Sequence, residues 1–344
     1  TDTTIWIASF AGGLRHATRN PNGDIGPFRL AAIPPDNLTE VKADSFYNFI
    51  IHPFNNLNHR VFSVMATSIG IFSGSAGGLN HTTDGGLSWK RYTAQNSGLT
   101  GNFVVALGDQ IFTENAVTKH YIWAASNRAV VSTEYNGLCF SPDSGKTWRV
   151  AMQGPFVNNI AFDGKTVFVA TDEGMFRSDD LGQTWIQYIN IVDDSTKDKF
   201  FASSFYAVGV QNPGVNSVLY FANQDGLAIS TNHGNTWRIV RTYPEPGRNG
   251  QPKSFAYPNP FSPSVEPNIT RFQFDLKGLN TATDKATLKI YDFAMDLVVV
   301  AAKNKPVTET LYWNGLNGQG KRVANGTYIY TIEAGGKKFW GKVT

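Results

Sequence analysis

The residues of this sequence that could do chemistry are carboxylates in short polar loops. Asp172 and Glu173 lie in Thr171-Asp172-Glu173-Gly174, Gln224 and Asp225 in Asn223-Gln224-Asp225-Gly226, and Asn127 and Arg128 follow Ser126. Two carboxylates at a defined separation are what hydrolysis of a glycoside by general acid and base requires. Asp-Glu-Gly and Gln-Asp-Gly are also ordinary turn sequences, and the reading as solvated turns outweighs the catalytic one. Other chemistry is thinner. His16, His52, His59, His81, His120 and His233 show no metal-ligand spacing. No loop alternates Asp and Asn as a calcium site does, and there is no Gly-rich phosphate loop or nucleophile elbow. No metal and no cofactor is expected. Glu134 and Tyr135 are adjacent, but neighbours on a strand point to opposite faces.

Those loops belong to a recurring unit. Four copies of Ser/Thr-x-Asp-x-Gly-x-Ser/Thr-Trp carry Asp84, Gly86 and Trp89; Asp143, Gly145 and Trp148; Asp180, Gly182 and Trp185; and Asn232, Gly234 and Trp237. The carboxylate accepts hydrogen bonds from the backbone of a tight turn. The glycine supplies positive φ. The hydroxyls tie the turn ends together, and the tryptophan starts a strand and buries a large apolar surface. Asn232 keeps an accepting oxygen but loses the charge, so the fourth turn is expected to be the weakest.

Before each copy stands a Gly-apolar pair: Gly78-Leu79, Gly137-Leu138, Gly174-Met175 and Gly226-Leu227. Apolar strands precede these pairs at 61–66, 121–125, 167–170 and 218–222, with a further set upstream at 48–52, 103–107, 157–162 and 206–210. Each unit is therefore four strands, the layout of a propeller blade. The loops bearing Asn127, Arg128, Asp172, Glu173, Gln224 and Asp225 join second and third strands. They are expected on the face opposite the acidic turns, converging on a central mouth as candidate ligand contacts. A degenerate fifth unit opens the chain, with Ile5-Trp6-Ile7-Ala8-Ser9 as second strand, 13–16 as third, 28–31 as fourth and the innermost strand missing. Either a borrowed strand closes a ring of five, or residues before Thr1 are absent and the ring is larger; five is preferred.

The repeated turn resembles the Asp box, or BNR repeat, of sialidases, sortilin-type receptors, xyloglucanases and photosystem II assembly propellers. The resemblance implies a structural hairpin at the rim of each blade and leaves function to other residues. The Arg-Ile-Pro signature of sialidases is absent. Xyloglucanases place paired Asp residues between two large propellers, and this chain has room for one.

Composition agrees with an all-β protein: 13% of the 344 residues are aromatic and 17% are charged, with a net charge of +3. No Lys/Arg cluster suggests nucleic acid, and no apolar run reaches membrane-spanning length. Cys139 is the only cysteine; in Leu138-Cys139-Phe140 it reads as a small buried residue. Residues 243–253, rich in Pro and Gly, read as a linker. Beyond them, short alternating strands such as Arg271-Phe272-Gln273-Phe274 and Thr287-Leu288-Lys289-Ile290-Tyr291 predict a β-sandwich over 254–344. Asn317-Gly318 and Asn325-Gly326 read as hairpin turns, and Trp313 and Tyr328 as core fillers.

Tyr257-Pro258-Asn259-Pro260-Phe261, Leu288-Lys289-Ile290-Tyr291-Asp292, Trp313-Asn314-Gly315 and Val323-Ala324-Asn325-Gly326-Thr327-Tyr328 occur in that order. The series resembles the immunoglobulin-like domain of flagellar hook-cap proteins and the C-terminal domains that type IX secretion recognises. It implies export by the secretion machinery through 254–344 to the extracellular space or outer surface of a Gram-negative bacterium. The chain ends at Thr344 without the longer apolar-basic tail of such signals. The reading is a propeller over 1–242 followed by an Ig-like sandwich. Its expected role is a non-catalytic binding, scaffold or assembly subunit with a protein partner or surface complex. The alternative is a glycoside hydrolase or a lectin-like glycan binder. Exposed aromatics such as Tyr47, Phe54 and Tyr135 could stack on sugars.

Overall fold

The computed structural model describes residues 3–42 and 49–344. Among them the chain is all-β; its helical content is one short 3-10 turn, Leu57–His59. Among the described residues no helix is long and apolar enough to cross a membrane. Two compact units emerge, one of Thr1–Ile189 with Ser204–Phe221, the other of Asn190–Ser203 with Ala222–Thr344.

The first unit is a succession of antiparallel blade sheets. The third holds Phe103–Glu114, Val117–Asn127, Gly137–Ser141 and Arg149–Gln153 in sequence order, and the fourth Val157–Asp163, Thr166–Thr171, Gly174–Ser178 and Ile186–Tyr188. The first sheet has three strands, Thr4–Ser9, Gly13–Thr18 and Arg29–Leu30, which correspond to the second, third and fourth of a blade. Among the described residues no innermost strand pairs with it. Ala207–Gln211, Val218–Asn223, Gly226–Ser230 and Arg238–Val240 repeat the order again, and the division between the units falls within Val218–Asn223. Inner strands pack each against the next, Val61–Thr67 on Phe103–Glu114, that on Val157–Asp163, and that on Ala207–Gln211. This is the radial arrangement of a β-propeller.

Apolar cores fill the gaps between neighbouring sheets. Phe72, Leu79, Tyr92, Val104, Ile122, Cys139 and Trp148 form one, and Trp123, Leu138, Met152, Val157, Ile160, Val167 and Val169 the next. Second strands lie between two such layers. Gly70–Ser75 and Thr166–Thr171 are buried at every position after the first, which is why they read as continuous small and apolar runs rather than alternating ones.

The second sheet departs from the expected frame. Its inner strand is Val61–Thr67, its second Gly70–Ser75, and Glu40–Val41 adds a fifth strand outside Trp89–Tyr92. The inner strand expected at 48–52 is not one: 49–52 have no regular structure, and Asn48 and Tyr47 lie outside the described residues. The run at 61–66, expected as the second strand, is thus the inner one, and Gly70–Ser75 takes the second place; at Gly74 packing admits only a small residue. A Cβ on Gly74 would stand 2.5 Å from the Val104 carbonyl oxygen.

The second unit contains a β-sandwich. Ser254–Tyr257, Thr270–Phe274 and Leu311–Trp313 form one sheet; Leu297–Pro306, Lys285–Tyr291, Tyr328–Ala334 and Lys337–Val343 form the other, in that spatial order. Alternation places Phe272, Phe274, Leu288, Ile290, Trp313, Tyr330, Ile332 and Phe339 in a shared core. Trp313 meets Tyr328 edge-on at 5.3 Å, and the Tyr330 hydroxyl donates to Ser254 Oγ at 3.1 Å. The expected two-residue turn at Asn317-Gly318 is instead a wider loop. Asn317 Oδ1 accepts from the N–H groups of Gln319 and Lys321, and Gly320 takes the positive φ. Asn325-Gly326 joins no two paired strands; it follows the isolated bridge Leu316–Arg322 and leads into Tyr328–Ala334.

Candidate functional site

The four acidic turns share one hydrogen-bond plan. Asp143 Oδ1 accepts from the Thr147 N–H and the Ser141 hydroxyl, both at 2.8 Å, and Oδ2 accepts from the Thr147 hydroxyl at 2.7 Å. The Ser141 oxygen in turn accepts from the Gly145 N–H at 2.8 Å. Asp84 and Asp180 repeat this with Ser88 and Thr184. Partial burial acts to raise the Asp84 pKa. The hydroxyl and N–H of Ser88 and the other donors outweigh it and hold the carboxyl at about 2. Asp180 is held at about 2, led by the Thr184 hydroxyl. In the fourth turn the amide of Asn232 reverses one bond: it donates to the Thr236 hydroxyl at 2.9 Å.

Three of the turn glycines also meet the preceding blade. A Cβ on Gly86 would stand 2.8 Å from Trp6, on Gly145 2.7 Å from Phe72, and on Gly182 2.9 Å from Trp123. Those aromatics lie on the second strands Thr4–Ser9, Gly70–Ser75 and Val117–Asn127. The turns thus join neighbouring sheets. Trp89, Trp148 and Trp237 are buried behind them, and Trp185 is half-buried.

The other end of the first unit is set by register. Val61 pairs with Ser75, Phe103 with Asn127 and Val157 with Thr171. Inner strands therefore begin where second strands end, and the loops after 75, 127 and 171 lie at that end, away from the acidic turns. All three inner-strand pairings carry a β-bulge next to this entry, a device that re-aims side chains.

Most polar residues expected to meet a ligand there are spent on structure. Asn127 is buried and clamps two sheets: its Nδ2 donates to the Val157 oxygen at 2.9 Å, and its Oδ1 accepts from the Val157 N–H at 3.0 Å. Asp172 is exposed, yet Oδ1 accepts from the Phe156 N–H at 2.7 Å. Arg128 and Glu173 are exposed. Glu134 is buried; its carboxylate accepts from the N–H of Ala129 at 2.7 Å and from Asn102 Nδ2 at 2.6 Å, organising the loop beside Arg128.

Apolar side chains are what this end leaves open; of them the sequence singles out only Phe54. Phe10, Phe62, Phe103 and Phe156 run in a ladder, with ring centroids 5.7, 4.6 and 6.1 Å apart. Phe10 is 58% exposed, Phe54 91% and Tyr206 52%, and Val130 and Val131 in the 128–136 loop are exposed too. The signal was available: an aromatic residue recurs within two positions of the start of each inner strand.

In the second unit Gln224 is exposed and Asp225 is buried. Arg271 is 2% exposed and grips Asp225 with two nitrogens, at 2.5 and 2.8 Å. Arg241 bonds Asp198 and Asp225, and Phe200 and Phe201 lie under the two guanidinium groups. Asp225 also accepts from the Phe201 N–H at 2.9 Å. A cleft of about 760 Å³ opens beside this network, walled by Tyr243, Tyr257, Phe261 and Val265. The charges at its floor answer one another. Among the described residues no group of three or more His, Cys, Asp or Glu could hold a metal ion. Burial pushes the Cys139 thiol up to about 11.

No family model matches the chain, and neither does any curated protein. Solved structures are similar to it. An ancestral GH74 enzyme is 15% identical over 95% of this chain and 43% of its own, with a TM-score of 0.46. PorZ, a bacterial surface component of the type-IX secretion system of Porphyromonas gingivalis, is 13% identical over 99% of this chain and 50% of its own, with a TM-score of 0.31. YCF48 from Cyanidioschyzon merolae is 12% identical over 82% and 84%, with a TM-score of 0.34. The chain spans about half the length of the first two.

Proposed function

We propose that the chain is a secreted or surface-attached, non-catalytic propeller that binds a protein partner through the end opposite its acidic turns. In this reading the repeated turns are Asp boxes, residues 1–242 are the propeller, and 254–344 are an Ig-like domain that directs export and anchoring at a Gram-negative surface. One observation carries the binding role. At that end Asn127, Asp172 and Glu134 are bonded to backbone, while Phe10, Phe54 and Tyr206 face solvent. Clustered exposed aromatics beside polar loops characterise interaction sites rather than inert surface. The same aromatics favour a second reading, a lectin-like site in which sugar rings stack on them.

Two experiments test this. Polysaccharides incubated with the full chain are expected to release no reducing ends; turnover abolished by Asp172→Asn would replace the binding reading with a hydrolase. In a type IX-competent host, the full chain is expected to be accessible to protease on intact cells and a chain lacking 254–344 is not. Equal surface display of both would remove the export role.

A further inference from the structure

The outward face of the four-stranded sandwich sheet carries a feature that neither the core nor the propeller reading uses. On Lys337–Val343, Phe339 and Val343 enter the core, so Lys338, Trp340 and Lys342 point the other way. Trp340 is 67% exposed. Among the described residues its indole meets no other ring, and neither Lys338 nor Lys342 meets a carboxylate; the ion pair on this face is Lys289 with Glu333, at 3.1 Å. Same-face neighbours on a strand stand about 7 Å apart, so one ammonium flanks the indole on each side.

Register extends the patch. Trp340 lies opposite Thr331, which lies opposite Lys289; Lys342 lies opposite Ile329, which lies opposite Tyr291; Lys338 lies opposite Glu333, whose carboxylate is bonded to Lys289. Thr331 faces outward between the core residues Tyr330 and Ile332, is 5% exposed, and its Oγ1 has no hydrogen-bond partner. A buried hydroxyl without a partner is costly and lies next to the indole. The strand's backbone edge is partly taken, since Ser254 Oγ donates to the Trp340 oxygen and Asn259 Nδ2 to the Lys342 oxygen. Recognition here falls to side chains, not to added strands. Residues 254–344 hold eleven Lys and Arg against seven Asp and Glu, and 1–253 hold nineteen against twenty. The positive charge of the chain is thus concentrated in its C-terminal third.

We infer that this face binds an anionic polysaccharide, a uronate-type chain whose sugar ring lies on Trp340 and whose carboxylates meet Lys338 and Lys342. A pyranose ring presents a flat C–H face that buries against an indole, and the flanking ammonium groups supply charge complementarity. A nucleic-acid site of the stacking kind uses several exposed aromatic platforms along a basic track; this face offers one exposed ring, Trp340, with Tyr291 half-buried. A lipid surface favours an apolar projection, whereas Asp292 and Asp296 flank the exposed Phe293 and Met295 at the sheet's hairpin tip. The inference does not depend on the propeller reading.

The test is affinity electrophoresis of the full chain through gels containing sodium polygalacturonate, with dextran, oligo-dT and anionic phosphatidylglycerol vesicles as comparisons. Retardation by polygalacturonate and not by dextran is expected, weakening as NaCl rises. Trp340→Ala should lower the affinity at least tenfold, Trp340→Tyr should restore part of it, and Lys338→Gln with Lys342→Gln should lower it at least fivefold and flatten the salt dependence. Val215→Ala, at an exposed loop of the first unit, should leave it unchanged. Thermal melting accompanies each variant; because these side chains are exposed, the melting temperature should not move. If Trp340→Ala nevertheless unfolds, the lysine pair supplies the same reading. Absence of retardation at low salt, equal retardation of Trp340→Ala and wild type, or equal or stronger binding of oligo-dT or vesicles would each overturn the inference.

Discussion

At Asp84 and Asp180 the protein turns a carboxylate into a backbone fastener. Both carboxyls sit at about 2 in the folded chain, against about 3.9 in an unfolded one. A depressed folded value means that these groups stabilise the fold above about pH 4 and lose that contribution as pH falls toward 2. Acid unfolding followed by circular dichroism should therefore steepen between pH 4 and 2, and Asp84→Asn with Asp180→Asn should flatten the curve in that window. The turn glycines make a sharper prediction. Gly145 has φ +84° and a would-be Cβ 2.7 Å from Phe72. Gly145→Ala should cost about 2–4 kcal/mol in chemical denaturation, the sum of left-handed strain and overpacking. These roles were legible in the sequence, because a turn's chemistry is local: Asp, Gly and hydroxyl partners lie within four residues. Trp6, Phe72 and Trp123 as the partners of those glycines were not legible, since they belong to the preceding blade.

Among the elements, legibility follows the same rule. The strand order of the third and fourth sheets could be read from Gly-apolar pairs and apolar runs. The second sheet could not: its apolar run at 61–66 reads as a second strand, and the strand character of Gly70–Ser75, with glycine or serine at four of six positions, comes from two layers packed against it. Arg271 shows a second limit. Its alternation with Phe272 and Phe274 gives the right face, but water is not what covers that face: Asp225, forty-six residues earlier, does. Asp225 was expected as a ligand contact, and its oxygens instead bind two arginines and the Phe201 N–H. Removing one partner from a buried pair leaves an uncompensated charge, so Arg271→Ala should destabilise the second unit by about 3–5 kcal/mol. The double change Arg271→Met with Asp225→Leu should recover much of that loss. Asn127→Ala, which strips two bonds from Val157, should cost about 1–3 kcal/mol.

For the molecule as a whole, the division of labour is between rim and entry. One end of the propeller is crowded with side-chain hydrogen bonds that close on themselves. The other exposes Phe10, Phe54 and Tyr206. Variants of the two ends should therefore separate: Phe54→Ser and Tyr206→Ser should leave the melting temperature within about 1 °C while abolishing retention of the proposed partner, since surface changes away from packed features fall within about ±0.5 kcal/mol.

That division rests on the acidic turn being a structural fastener, and the protein carries its own control. The fourth turn has Asn232 where the others have Asp, and one of its bonds runs backwards. Restoring the carboxylate returns the N–H and hydroxyl of Thr236 to a charged acceptor, the arrangement seen at Thr147 and Thr184. The decisive measurement is the melting temperature of Asn232→Asp at pH 7 beside Asp143→Asn. A rise for the first, worth a few tenths to about 1 kcal/mol, with a fall for the second is the predicted result. A fall for Asn232→Asp, or no change in either, would contradict the account.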